Sequence, residues 1–174
     1  MCATTPFVLA LVLNEWIFGS LQFVRGVNWI YLPAGVRVLC TLLFAEAGAV
    51  GLLIVSLLAC IYYFFPDDLM RGLFGGIAAA LAPYAVYRMA RRWMGLGKSL
   101  ANLTASRLLL LSVLYALANA LLHQAGALLM GRGMHLDRVF VMLLGDLLGT
   151  LIVLYLAKAL LRLLPAQRSI YELK

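Results

Sequence analysis

The stretch Leu136–Leu164, LDRVFVMLLGDLLGTLIVLYLAKALLRLL, constrains this chain more than any other, because a run of that length and apolarity carries a carboxylate in its interior. As a helix rising about 1.5 Å per residue it is about 40 Å long, enough to cross roughly 30 Å of hydrocarbon with its basic end beyond the core. Asp146 then lies inside the membrane. An ionised carboxylate there is costly unless it faces a bundle interior or a cavity and finds a partner. Gly145 and Gly149 flank it at a small-xxx-small spacing, which lets another helix approach closely on that side.

Composition makes this run one of several. Of the 174 residues, 65% are hydrophobic and 12% charged, which indicates a multi-spanning membrane protein in a single integral domain, residues 1–174. The net charge of +7 does not indicate nucleic acid, because the basic residues gather at the ends of apolar runs, where they act as topology signals. Cys2, Cys40 and Cys60 have no metal-ligand or redox spacing and read as reduced packing residues. The N-terminus lacks a basic n-region and a small-residue cleavage site, so its apolar run is expected to be retained as a first span.

The pattern predicts an all-α, polytopic transmembrane bundle of about six spans, near 6–24, 29–46, 51–65, 69–87, 108–130 and 137–163. The first run is interrupted by Asn14 and Glu15, and the pair Trp29 and Tyr31 beyond it suits an interface. Trp29–Phe65 is too long for one ordinary span and too short for two long ones. Gly48 and Gly51 suggest a tight connection there between two short spans, with a re-entrant hairpin as the alternative. Pro33–Ala34–Gly35 reads as a helix start, and Pro66–Asp67–Asp68 as a turn and N-cap. Gly72 and Gly76 form a second small-xxx-small pair, Pro83 is a plausible kink, and the aromatic run Tyr62–Phe65 reads as an interfacial belt. Both glycine pairs are expected to line internal helix contacts.

With six spans, one side holds Arg88, Arg91, Arg92, Lys98, Arg107, Lys158, Arg162, Arg168 and Lys174, nine positive residues, against Arg25, Arg71, Arg132 and Arg138, four. That asymmetry places both termini in the cytoplasm. It also assigns depths. Glu15 lies nine residues before Val24, Arg37 eight after Trp29, His123 seven before Met130 and Asp146 nine after Asp137. All four fall roughly 10–14 Å in from the outer end of their spans. Asn14 and Asn119 share that level. A polar cluster of Glu15, Arg37, Asn119, His123 and Asp146 is therefore expected in the outer half of the bundle, with Arg37 as its central cation paired to Asp146, to Glu15 or to both.

Such a layer has several readings. It can be internal glue that fixes helix register, a small-ligand site in which Arg37 meets an anionic group, a proton-sensitive site using His123, or part of a conduction path. His123 and His135 have no partner at metal-ligand spacing, so no metal site is expected, and their depths do not match for axial haem ligation. No nucleophile elbow, phosphate loop or dinucleotide fingerprint occurs. An enzyme is the least favoured class.

Three features carry a family resemblance: Leu32–Pro33–Ala34–Gly35 at a helix start, Gly75–Gly76 opening a later span that ends in Arg91–Arg92, and Gly145–Asp146–Leu147–Leu148–Gly149 in the last span. Over about residues 29–164 the chain resembles the MASE-type membrane-associated sensor domains of bacteria. The resemblance implies an α-helical sensory or regulatory module in a bacterial inner membrane, with Gly145, Asp146 and Gly149 matching the family's late membrane motif. That family's domain is usually longer and precedes a cytoplasmic output domain. Here only ten residues follow Leu164, so signalling through a partner membrane or signalling protein is expected, with a homo-oligomer possible. Two other classes stay open: a small-solute binding or transport subunit, which needs an open cavity at the Arg37 layer, and a structural subunit of a larger membrane assembly, which needs a closed core.

Overall fold

The computed structural model describes residues 4–95 and 104–163. Nearly all of them are helical: α1 Thr4–Phe18, α2 Leu32–Leu58, α3 Leu69–Trp93, α4 Ala105–Leu129 and α5 Leu136–Leu163. Each lies in a stretch long and apolar enough to cross a membrane. Their ends follow local chemistry. Pro33 opens α2, where its fixed φ and missing N–H suit a first turn. Asp68 caps α3 by accepting from the Arg71 amide at 3.0 Å, and Thr104 caps α4 from the Arg107 amide. Gly131, at φ 69°, closes α4. Cys2, Gly97, Lys98, Arg168 and the tail from Pro165 lie outside the described residues.

The second helix is not straight. Ala45 sits at φ 50°, ψ −125°, and the Cys40 carbonyl lies against Gly48, eight residues that a continuous helix would hold about 12 Å apart. The chain therefore folds back at Ala45 into two antiparallel arms, residues 32–44 and 46–64, the second ending in a π-helical turn, Ala59–Phe64. Val36 and Cys40 of the first arm pack with Leu52 and Val55 of the second. A Cβ at positive φ is strained, so Ala45→Gly is expected to raise stability by about 1 kcal/mol. Thermal unfolding in detergent checks this; a lowered midpoint would count against the bend as described.

Between α1 and α2 the backbone leaves helical geometry. A 3₁₀ turn at Gly19–Leu21 leads into β1 Gln22–Val24, which pairs antiparallel with β2 Val27–Asn28 around a turn at Gly26. The chain then descends along α5. The Tyr31 amide donates to the Gly145 carbonyl at 3.1 Å, and the carbonyls of Asn28 and Tyr31 lie directly on Gly145 and Gly149. Gly145 is nine residues inside α5, about 14 Å from its start. Irregular backbone at that depth is tolerated only where protein covers it and its polar groups are met. Both conditions hold: Val27 and Asn28 are buried, and the Asn14 Oδ1 of α1 accepts from the Leu32 amide at 2.8 Å.

Helices α2, α3, α4 and α5 close a ring, each packing on the next and α5 on α2, while α1 lies outside against α2. One end of the bundle carries the β-hairpin, the α2–α3 turn and the α4–α5 turn; we call it the upper end. The lower end carries the bend at Ala45. An apolar cluster that includes Val38, Leu42, Ala82, Val86, Leu111 and Tyr115 fills the lower half of the ring.

Several sequence expectations change here. The first span is shorter than 6–24, because the helical stretch runs from Thr4 to Leu21 and strand geometry begins at Gln22, and α2 starts at Leu32 instead of Trp29. Tyr31 is not an interfacial anchor, because the extended segment carries it inward against Arg37. Gly145 admits the backbone of that segment instead of another helix, whereas Gly149 admits its last residue, Tyr31, together with the start of α2 at Leu32 and Gly35. Gly72 and Gly76 do meet a helix: a Cβ at Gly72 would lie 3.1 Å from the Ile61 Cα, and one at Gly76 2.8 Å from the Leu57 Cα.

Candidate functional site

Inside the upper half of the ring is a cavity of about 130 Å³, close in size to apolar cavities of about 150 Å³ that hold a benzene molecule. Its floor is polar. Arg37 comes from the first arm of α2, Asn119 from α4, Asp146 from α5, and Asn28 and Tyr31 from the extended segment. Asn119 Nδ2 donates to Asp146 Oδ2 at 2.6 Å, joining α4 to α5. The wall includes His123, Cys60, Phe65, Phe74 and Gly75.

Arg37 is 4% exposed and is held largely by aromatic side chains. Its Cζ lies 5.1 Å from the Phe7 ring centroid and 5.3 Å from that of Tyr31, and Nη2 donates to the Tyr31 hydroxyl at 3.5 Å. Tyr115, fully buried, lies beside it. A guanidinium is planar and weakly hydrated, so ring faces accommodate it where an ammonium would fare worse. Arg37 and Asp146 act on each other electrostatically, yet no direct ion pair joins them among the described residues.

The floor is under-satisfied. Arg37 Nε, Asn119 Oδ1 and both side-chain atoms of Asn28 are buried with no hydrogen-bond partner among the described residues. Buried polar atoms are normally paired, because leaving one unmade costs about 1–3 kcal/mol. Here four such atoms belong to residues that line one cavity.

The cavity opens at the upper end, where Arg25, Arg71, Arg132, His135 and Arg138 surround it. Arg25 Nη2 donates to the Tyr63 carbonyl at 2.8 Å, and the Arg71 Cζ lies 4.0 Å from the Phe65 ring centroid. Arg132 pairs with Asp68. The Arg71 backbone amide, and then the Arg132 guanidinium, hold the Asp68 carboxyl below the usual carboxylate range, so it stays ionised at neutral pH and offsets one positive charge. Below the Arg37 floor the ring is filled by Tyr115 and the apolar cluster around it, none of whose buried members lines the cavity.

Of the five residues expected to form one polar layer, Arg37, Asn119, His123 and Asp146 line the same cavity. Glu15 does not. It lies on α1 beside Tyr63, next to a groove between α1 and the second arm of α2 lined by Phe7, Leu11, Trp16 and Val55. Depth along a helix sets the level of a residue but not the direction it faces, and α1 stands outside the ring. Sequence reasoning missed Asn28, Tyr31 and Tyr115, and treated the arginines of the mouth only as topology signals. Asn28 and Tyr31 sit in an apolar run that read as the edge of a span. No family model, curated protein or solved structure matches the chain.

Proposed function

We propose that this protein is a sensory or regulatory membrane module that binds a small ligand in the cavity between α2, α3, α4 and α5. The observation that carries this is the under-satisfied polar floor: four buried, unpartnered polar atoms belong to residues lining a cavity open at one end. A structural pair would have closed on itself. A conduction path would continue to the lower end, which Tyr115 and its apolar neighbours fill. Binding without passage is what a sensor needs, and this is the role that the resemblance to MASE-type domains implies. Signalling would then proceed through a partner protein.

In this reading the two arms of α2 are separate passages, so the chain crosses a bacterial inner membrane six times with both ends cytoplasmic. The nine-to-four distribution of basic residues supports that orientation. The first arm, 13 residues, is about 20 Å long. The segment of residues 22–31, buried at Val27 and Asn28, takes up the rest of the thickness on the upper side.

Gly75 supplies the test, since a Cβ there would face Cys60 Sγ at 3.5 Å and His123 Cε1 at 3.7 Å, ordinary contact distances. Gly75→Leu therefore fills the cavity without forcing the helices apart. After equilibrium dialysis against a small-molecule extract of the expressing cells, mass spectrometry is expected to show a compound enriched on the wild type and not on Gly75→Leu. No enrichment on either, or equal enrichment on both, would overturn the binding reading and leave a structural subunit.

A further inference from the structure

The four basic residues on the side that the positive-inside rule disfavours are Arg25, Arg71, Arg132 and Arg138. They come from three separate connections, yet all four line the mouth of the one cavity. Counting Arg37, the lining carries five arginines against a single carboxylate, Asp146. A low-dielectric cleft lined by one sign of charge concentrates ligands of the other sign.

The floor narrows the class. Arg37 and Asp146 line the cavity together with no ion pair joining them among the described residues, so a ligand that bears both an anion and a donor can engage the two at once. The unpartnered atoms match such a ligand: Arg37 Nε and Asn28 Nδ2 donate, whereas Asn119 Oδ1 and Asn28 Oδ1 accept. We infer that the ligand is a small organic acid with a hydrogen-bond donor next to its carboxylate, an amino or hydroxy acid. Its carboxylate meets Arg37, and its ammonium or hydroxyl meets Asp146 and Asn119 Oδ1. The arginines of the mouth draw it in. This rests on the binding reading above and adds the charge and shape of the ligand.

Cys60 is a free thiol in the cavity wall and reports access directly. In a full-length protein carrying Cys2→Ala and Cys40→Ala, right-side-out membrane vesicles are treated with anionic sulfonatoethyl or cationic trimethylammonioethyl methanethiosulfonate. Each reagent forms a mixed disulfide with the Cys60 thiolate and releases methanesulfinate, and the mass of the purified protein gives the rate. Relative to each reagent's rate with a small thiol in solution, the anionic one is expected to be favoured about tenfold or more, and the preference to collapse in Arg71→Gln/Arg138→Gln and at high salt.

Millimolar alanine or lactate is expected to protect Cys60, and acetate or methylamine is not. Equal protection by acetate would overturn the donor half of the inference. Protection only in vesicles enriched in an anionic phospholipid would move the anion to a lipid headgroup and overturn the soluble acid. A cationic preference would overturn the ligand class while leaving the cavity as a binding site. Labelling by neither reagent, even in detergent, would overturn the binding reading itself. Labelling only after permeabilisation would overturn the orientation and the argument from the four arginines.

Discussion

Replacing Gly149 by leucine is expected to leave little or no folded protein to purify. The Tyr31 carbonyl lies on Gly149, the Leu32 amide nitrogen is 2.9 Å from where a Cβ would stand, and Gly35 of α2 presses on the Gly149 carbonyl. The obstructing atoms are backbone, so no rotamer change makes room. The added side chain must push the segment of residues 28–32 off α5, which removes the bond from the Tyr31 amide to Gly145 and disturbs the start of α2. Overpacking in a well-packed interior costs about 1–3 kcal/mol, and a clash with fixed backbone belongs at or above the top of that range. Leu151→Ile, half-buried and close in volume, is expected to cost less than about 1.5 kcal/mol. Equal melting temperatures for the two variants in detergent would show that the extended segment does not seat on α5 as described.

The second large effect is expected at Arg37. Arg37→Leu removes the only arginine of the cavity floor and leaves Asp146 buried, with Asn119 as its hydrogen-bonded neighbour. Breaking a buried charge relationship from one side costs about 3–5 kcal/mol, because the remaining charge keeps its desolvation penalty. The rings of Phe7 and Tyr31 also lose the cation between them. Adding Asp146→Asn is expected to recover part of the loss, giving a coupling of about 1–3 kcal/mol in a double-mutant cycle. Strictly additive losses would mean that the two groups are independent across the cavity, and the zwitterion-shaped floor would lose its basis.

What the sequence disclosed was levels. Apolar runs marked the helices, Pro33 and Asp68 marked two starts, and counting residues inward placed Arg37, Asn119, His123 and Asp146 at one depth, where they do line one cavity. Direction was not legible. Helical period is a weak guide in a membrane, because lipid-facing and core-facing surfaces are both apolar, so nothing in the text around Glu15 showed that α1 stands outside the ring. The extended segment was hidden for the same reason. Phe23, Val24, Val27 and Ile30 continue the apolar composition of a span, and composition cannot say that their backbone is paired as strands or laid along α5. The expected pairing of Arg37 with Asp146 came from matched depth and opposite charge, with no information on direction. In the structure both line one cavity, and no ion pair joins them among the described residues.

The seating of residues 28–31 on Gly145 and Gly149 also bears on how the protein is made. During synthesis the extended segment leaves the ribosome more than a hundred residues before the glycines that receive it. Until then its carbonyls and amides have no helix to lie on, and lipid offers them no hydrogen bonds. If the two arms of α2 are separate passages, as proposed above, the first arm, about 20 Å long, has little reason to stay inserted until the segment is seated. Seating of the segment therefore waits for α5 and does not follow the order of synthesis. A nascent chain stopped before α5 exposes an unfinished polar edge near its beginning, a mark by which membrane proteases could tell incomplete copies from finished ones.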